Sequence, residues 1–141
     1  MATIQGTAEL LRITGTRSAD TMYMYAGGKG GFADGGDGDD TIWGGGGEDT
    51  FIGGFGNDVL YSQGGNVTME GGAGNDVLYG YSGLASTSFA KAVLDGGSGN
   101  NLIFSGNGDA TITSGSGDDY IRTGNGNNRI DSGAGHDIIL G

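Results

Sequence analysis

The chain is written in a nine-residue period, which leaves each unit room for one very short strand and a turn. From Gly35 it divides into GGDGDDTIW, GGGGEDTFI, GGFGNDVLY, SQGGNVTME and GGAGNDVLY. A longer unit at 80–95 follows, with seven extra residues within 84–91. The period then resumes as GGSGNNLIF, SGNGDATIT, SGSGDDYIR, TGNGNNRID and SGAGHDIIL. Upstream it degenerates: 6–14, 15–23 and 26–34 read as weaker units, Met24 and Tyr25 as a two-residue insertion, and 3–5 as a leading half-strand. This divides the chain into a degenerate segment at 1–26 (rungs, a cap or an assembly segment) and a repeat region at 27–141 with a loop insertion at 84–91.

The eighth position supplies the core. It holds Ile42, Phe51, Leu60, Met69, Leu78, Leu94, Ile103, Ile112, Ile121, Ile130 and Ile139, apolar in every unit from Gly35 onward. The six positions before each strand are turn formers, mostly Gly, Asn, Asp and Ser, so a three-residue strand remains with its centre pointing inward. Such strands are too closely spaced for helices or ordinary hairpins. They can wind as a solenoid, two units per coil, each strand pairing in parallel with the strand two units on. The expected fold is all-β, a parallel β-roll or β-solenoid. Each unit buries one large side chain, so stability must come from stacking many rungs.

Composition narrows the partners. Thirty-five glycines carry a backbone entropy cost that only a regular lattice offsets, and the absence of proline removes collagen and polyproline readings. A net charge of −11 disfavours nucleic acid and anionic membranes and favours cations. There is no cysteine, no apolar run of membrane-spanning length, and no basic-then-apolar start of a secretory signal peptide.

The units resemble the repeats-in-toxin family, whose signature is GGxGxDxUx; those at 53–61 and 71–79 match every fixed position. The resemblance implies a right-handed parallel β-roll, with the sixth-position Asp and turn carbonyls holding calcium between turns stacked on one edge. Elementary electrostatics agrees. Calcium takes six to eight oxygen ligands, carboxylates and backbone carbonyls among them. Carboxylates aligned one rung apart, ~4.8 Å, would repel by roughly 3 kcal/mol per pair at an effective dielectric of 20. A divalent ion between them turns that repulsion into a bridge.

With two units per coil, alternate units share an edge, and the sixth position differs between edges. One edge carries Asp40, Asp58, Asp76, Asn101, Asp119 and Asp137, with Asp20 extending the series in a unit that lacks the glycines. The other carries Gly31, Asp49, Val67, Ala92, Ala110 and Asn128. The expectation is about five calcium ions stacked along the first edge, together about +10 against the formal charge. Asn101 would ligate through its amide oxygen without adding charge. Asp49 could hold a lone weak ion, although Asp49, Asp109 and Asp118 fit plain turn formers as well.

Positions seven and nine face outward. On the sheet after the first edge, Trp43, Tyr61, Tyr79 and Phe104 line up beside Val59, Val77, Leu102, Tyr120 and Ile138. Such an apolar stripe marks an interaction surface. Its occupant could be this chain's own 84–91 or 22–25 segment, another copy or larger partner, or a carbohydrate stacked on the rings.

No catalytic set emerges. His136, the single histidine, occupies an outward turn position, and no nucleophile, base and orienting group can be assembled. The leading expectation is a secreted, calcium-folded structural module that self-assembles, as in a matrix filament or surface layer. Assembly would run head to tail at open ends, or laterally through Trp43, Tyr61, Tyr79 and Phe104. Lacking a cleavable signal, it would reach the extracellular space by another export route. The alternative is a carrier module that stays unfolded at low calcium and couples export to folding for an exoenzyme, toxin or adhesin.

Overall fold

The computed structural model describes residues 1–7, 12–24, 29–80 and 90–141. Among these residues fifteen parallel strands wind as a β-solenoid of about seven turns, with no helix. One sheet takes the odd-numbered strands: β1 (Thr3–Gln5), β3 (Thr21–Tyr23), β5 (Thr41–Trp43), β7 (Val59–Tyr61), β9 (Val77–Tyr79), β11 (Leu102–Phe104), β13 (Tyr120–Arg122) and β15 (Ile138–Leu140). The facing sheet takes the even ones: β2 (Arg12–Thr14), β4 (Phe32–Asp37), β6 (Asp49–Phe55), β8 (Val67–Ala73), β10 (Ala92–Ser98), β12 (Ala110–Thr113) and β14 (Arg129–Asp131). Each strand therefore pairs with the strand two units on, as a two-unit coil requires.

Register follows the repeat. Trp43 pairs with Tyr61 and Tyr61 with Tyr79. The offset lengthens by two residues where Thr21 meets Thr41, which absorbs the insertion after Tyr23. It lengthens by seven where Val77 meets Leu102. Most of 84–91 lies outside the described residues. Ala90 and Lys91, however, already hold regular turn positions, since the Lys91 N–H donates to Asn66 Oδ1 at 2.9 Å.

The eighth position is the core. Every eighth-position residue from Ile13 to Ile121 is buried, Met22 and Ala33 in the degenerate units included. Burying one such side chain contributes about 1.5–3 kcal/mol, so the core is a single file of modest contributions. Strands β4, β6, β8 and β10 run on through two glycines into the following turn, a length the three-residue reading did not anticipate. Glycine permits this because the second glycine of the turn has positive φ, +115° at Gly54 and +110° at Gly72. A Cβ there would strike the carbonyl oxygen of the rung below.

On the outer face of the odd sheet the four aromatics form a ladder. Centroid separations are 4.1 Å for Trp43–Tyr61, 4.9 Å for Tyr61–Tyr79 and 5.0 Å for Tyr79–Phe104, with rings within 13° of parallel. In-register parallel strands repeat at about this spacing, so identical positions stack face to face.

Candidate metal centre

The turns entering the odd strands carry the acidic series, and the fold brings all of it to one edge. Asp20, Asp40, Asp58, Asp76, Asn101 and Asp119 are buried, and Asp137 is half-buried on the last rung. Their Oδ1 atoms form a ladder in which each accepts the backbone N–H of the sixth position one rung earlier. Asp40 N–H donates to Asp58 Oδ1 at 2.7 Å, Asp58 N–H to Asp76 Oδ1 at 2.8 Å, and Asp76 N–H to Asn101 Oδ1 at 2.9 Å. Asn101 N–H donates to Asp119 Oδ1 at 2.7 Å and Asp119 N–H to Asp137 Oδ1 at 3.0 Å. Upstream, Ala2 and Asp20 donate in the same way to Asp20 and Asp40.

One oxygen of each carboxylate is thus spoken for and the other is left. The Oδ2 atoms of Asp40, Asp58, Asp76 and Asp119 are buried without a hydrogen-bond partner, as is that of Asp49 on the opposite edge. Such an atom costs about 1–3 kcal/mol, more when charged.

The first glycine of each turn shows what surrounds these oxygens. A Cβ placed on Gly35 would fall well inside 3.0 Å of both Asp40 Oδ2 and the Gly53 carbonyl oxygen. On Gly53 it would meet Asp58 Oδ2 and the Gly71 carbonyl, and on Gly71 it would meet Asp76 Oδ2 and the Gly96 carbonyl. Two acceptors from adjacent rungs therefore wall the same small space, and no donor lies between them. A hard cation fits that donor set, and oxygen-only ligation by carboxylate and carbonyl is the chemistry calcium prefers. The carboxylates stand one to a rung; among the described residues no three His, Cys, Asp or Glu side chains gather around a point. Backbone carbonyls must therefore supply most of any ion's shell. The resemblance implied aspartates and turn carbonyls together; the structure places the carbonyls of Gly53, Gly71 and Gly96 beside the partnerless aspartate oxygens.

Electrostatics reports the same strain. Burial, reinforced by the carboxylates of Asp76 and Asp40 and opposed by the Asp40 N–H, pushes Asp58 up to about 7. Burial likewise pushes Asp40 and Asp76 up to about 6. Asp49 also rises through burial, against N–H donors from Gly31 and Gly45. Asp20 moves the other way: burial raises it, but the Thr16 hydroxyl and the N–H groups of Ala2 and Thr16 outweigh burial and hold it below the ordinary range.

The second edge is built differently. A Cβ on Gly44 would meet the Phe51 ring and the Tyr61 carbonyl oxygen, and one on Gly80 the Ser105 carbonyl oxygen and the Leu94 side chain, so an apolar side chain stands where the first edge has a carboxylate oxygen. Asp49, with its Oδ1 accepting the Gly31 N–H at 2.9 Å, is the acidic exception. His136 lies in solvent, its side chain 98% exposed and Nδ1 3.5 Å from Asp118 Oδ1. Asp118 and Asp109 accept N–H groups from the rungs above them, as turn residues do.

The RTX calcium-binding nonapeptide repeat model matches in four copies, at residues 25–60, 52–83, 93–112 and 104–139, together well over half of the chain. No curated relative and no solved structure matches. The matched segments contain the whole series from Asp40 to Asp137, and the oxygen-walled gaps coincide with the repeats. The chain belongs to the RTX calcium-binding nonapeptide repeat family.

Proposed function

We propose that this calcium-binding repeat module folds in response to calcium outside the cell and then assembles with further copies of itself. The observation that carries the calcium-dependent step is the row of buried Oδ2 atoms facing carbonyl oxygens across successive rungs. Acceptors stacked in this way oppose folding until a cation lies between them. At low calcium the row keeps the chain open; at millimolar calcium it becomes the seam that closes it. About five ions along the first edge, as the sixth-position series implies, would also neutralise most of the −11 charge.

One feature supports assembly. The stacked Trp43, Tyr61, Tyr79 and Phe104 ladder faces outward on the odd sheet. On the last rung, Ile139 occupies the core position yet is 47% exposed, beside Ile138 at 56% and Leu140 at 48%. A further rung, supplied by another copy or by more of the same polypeptide, would cover it. No helix among the described residues is long and apolar enough to cross a membrane.

Sedimentation velocity and electron microscopy on chelator-treated protein, before and after calcium, test this reading. Calcium-dependent growth in mass with filaments supports it. A folded monomer at saturating calcium overturns assembly and favours a carrier module that couples export to folding.

A further inference from the structure

The sixth-position ladder has one link of different chemistry. Asn101 uses its Oδ1 as the aspartates do, accepting the Asp76 N–H at 2.9 Å. That buried N–H needs an acceptor, so the orientation of the amide is fixed: turning it over would set donor against donor. Nδ2 therefore occupies the place of the partnerless Oδ2. It donates to the Gly99 carbonyl of its own turn at 3.1 Å and to the Ser114 carbonyl of the next rung at 3.3 Å. A Cβ on Gly96 would meet Asn101 Nδ2 and the Ser114 carbonyl, as one on Gly53 meets Asp58 Oδ2 and the Gly71 carbonyl. The gap has the same walls, but here one wall is a donor.

The top of the row is closed by different atoms to the same effect. Asp20 Oδ2 accepts the Thr16 N–H at 2.6 Å and the Thr16 hydroxyl at 2.8 Å, so a protein donor meets the oxygen left without one at Asp40. Thr16 stands where the repeat places its second glycine.

We propose that Asn101 is a built-in substitute for calcium and not one of its ligands. An amide N–H₂ bridges adjacent rungs by donating where the ion would be bridged by accepting oxygens, and it does so at any calcium concentration. Together with the Thr16–Asp20 pair, it confines the contiguous cation row to three gaps, those of Asp40, Asp58 and Asp76, and lowers the count below the five that the sixth-position series alone gives. Asp119 stands apart beyond the break, in a turn where Ser114 replaces the first glycine and its hydroxyl donates to the Ser132 carbonyl at 2.8 Å. The chain thus carries a metal-independent rung between two metal-dependent stretches, next to the seven-residue insertion.

This inference rests on calcium binding as proposed above, and the experiment separates the two. Ions bound per chain are counted by equilibrium dialysis with radioactive calcium, and folding in chelator is followed by far-UV circular dichroism. The unsubstituted chain comes first: if it binds no calcium, the functional reading itself falls. If it binds, Asn101→Asp should add one ion per chain and lower the β content that survives in chelator, because a second acceptor replaces the donor. Unchanged stoichiometry with tighter binding would show that Asn101 already ligates through its oxygen, and would overturn the proposal. Asp58→Asn is the reciprocal variant and guards against an Asn101→Asp chain that does not fold. It should bind one ion fewer and fold at lower calcium; an unchanged ion count with weaker affinity would again contradict the proposal.

Discussion

The two edges of the roll solve the same stacking problem with different atoms. At the first edge, the sixth-position N–H of each rung is received by a side-chain oxygen of the next: Asp58 for Asp40, Asp76 for Asp58. At the second edge side-chain oxygens do this only at Asp49 and Asn128, which accept the Gly31 and Ala110 N–H groups; between them the backbone does it alone. Asp49 N–H donates to the Asn66 carbonyl, Val67 N–H to the Lys91 carbonyl and Ala92 N–H to the Asp109 carbonyl, at 3.0–3.1 Å. Asp49 Oδ2 apart, the second edge leaves no buried side-chain oxygen without a partner among the described residues. The first edge spends one carboxylate oxygen on the ladder and leaves the other facing a carbonyl, so in the proposed function its cohesion waits for an ion. A solenoid with two self-sufficient edges would be a permanent fold; with one edge dependent on an ion it would be a conditional one.

Removing the dependent edge should have the largest effect. The triple variant Asp40→Ala, Asp58→Ala, Asp76→Ala should lose calcium-induced β structure altogether, measured by circular dichroism. Asp58→Ala alone should raise the calcium midpoint about tenfold, equivalent to about 1.4 kcal/mol. Asp49→Ala on the second edge should shift it far less, and an equal shift would erase the distinction between the edges.

Next in size is a paired glycine test. Neither Gly53 nor Gly44 has positive φ, so alanine at either probes space without backbone strain. Gly53→Ala puts a methyl between Asp58 Oδ2 and the Gly71 carbonyl and should remove one bound ion by calorimetric titration. Gly44→Ala crowds the Phe51 ring; it should cost about 1–3 kcal/mol of overpacking and leave the ion count unchanged.

Acidity offers a third, smaller contrast. Burial raises Asp58 from 3.8 to about 7, and Asp40 and Asp76 to about 6, so the folded calcium-free chain binds more protons than the unfolded one. The contribution of these groups to calcium-free stability is fully present below 3.8 and is lost as pH rises through about 6 and 7. In chelator, acidification should therefore increase β content. With calcium present the sign reverses, and the calcium midpoint should rise as pH falls below about 7, because protons compete for the same oxygens.

The smallest effect belongs to the fifth position. There a second ladder runs in the opposite sense: Asp39 Oδ1 accepts from Asn57 N–H, and Asn57 Oδ1 from Asn75 N–H, both at 2.8 Å and exposed. Asn57→Ala should cost about 0.5–1.5 kcal/mol in thermal stability without altering calcium stoichiometry.

The architecture was largely readable in advance because it depends on a period. An apolar residue every nine positions fixes the strand centre, the coil length and the partner two units on, down to the offsets at Thr21–Thr41 and Val77–Leu102. The acidic edge was readable for the same reason. What the two oxygens of Asp58 do was not, since the split of its carboxylate into a ladder acceptor and a partnerless oxygen arises from how closely two rungs approach. Nor was the role of Asn101 readable: as a residue type it is a neutral ligand, and only the fixed Asp76 N–H makes it a donor to Ser114. Thr16 escaped notice because its unit lacks the repeat's second glycine, which is also why it can supply a hydroxyl to Asp20.

The most direct test is a calcium titration of chelator-treated protein at neutral pH, followed by far-UV circular dichroism. The dependent first edge predicts a cooperative transition from disorder to β structure by millimolar calcium, without any comparable response to magnesium, whose octahedral demand carbonyl-walled gaps do not meet. Full β content in chelator, unchanged by calcium, would contradict it and leave a self-sufficient solenoid whose aspartates only form turns.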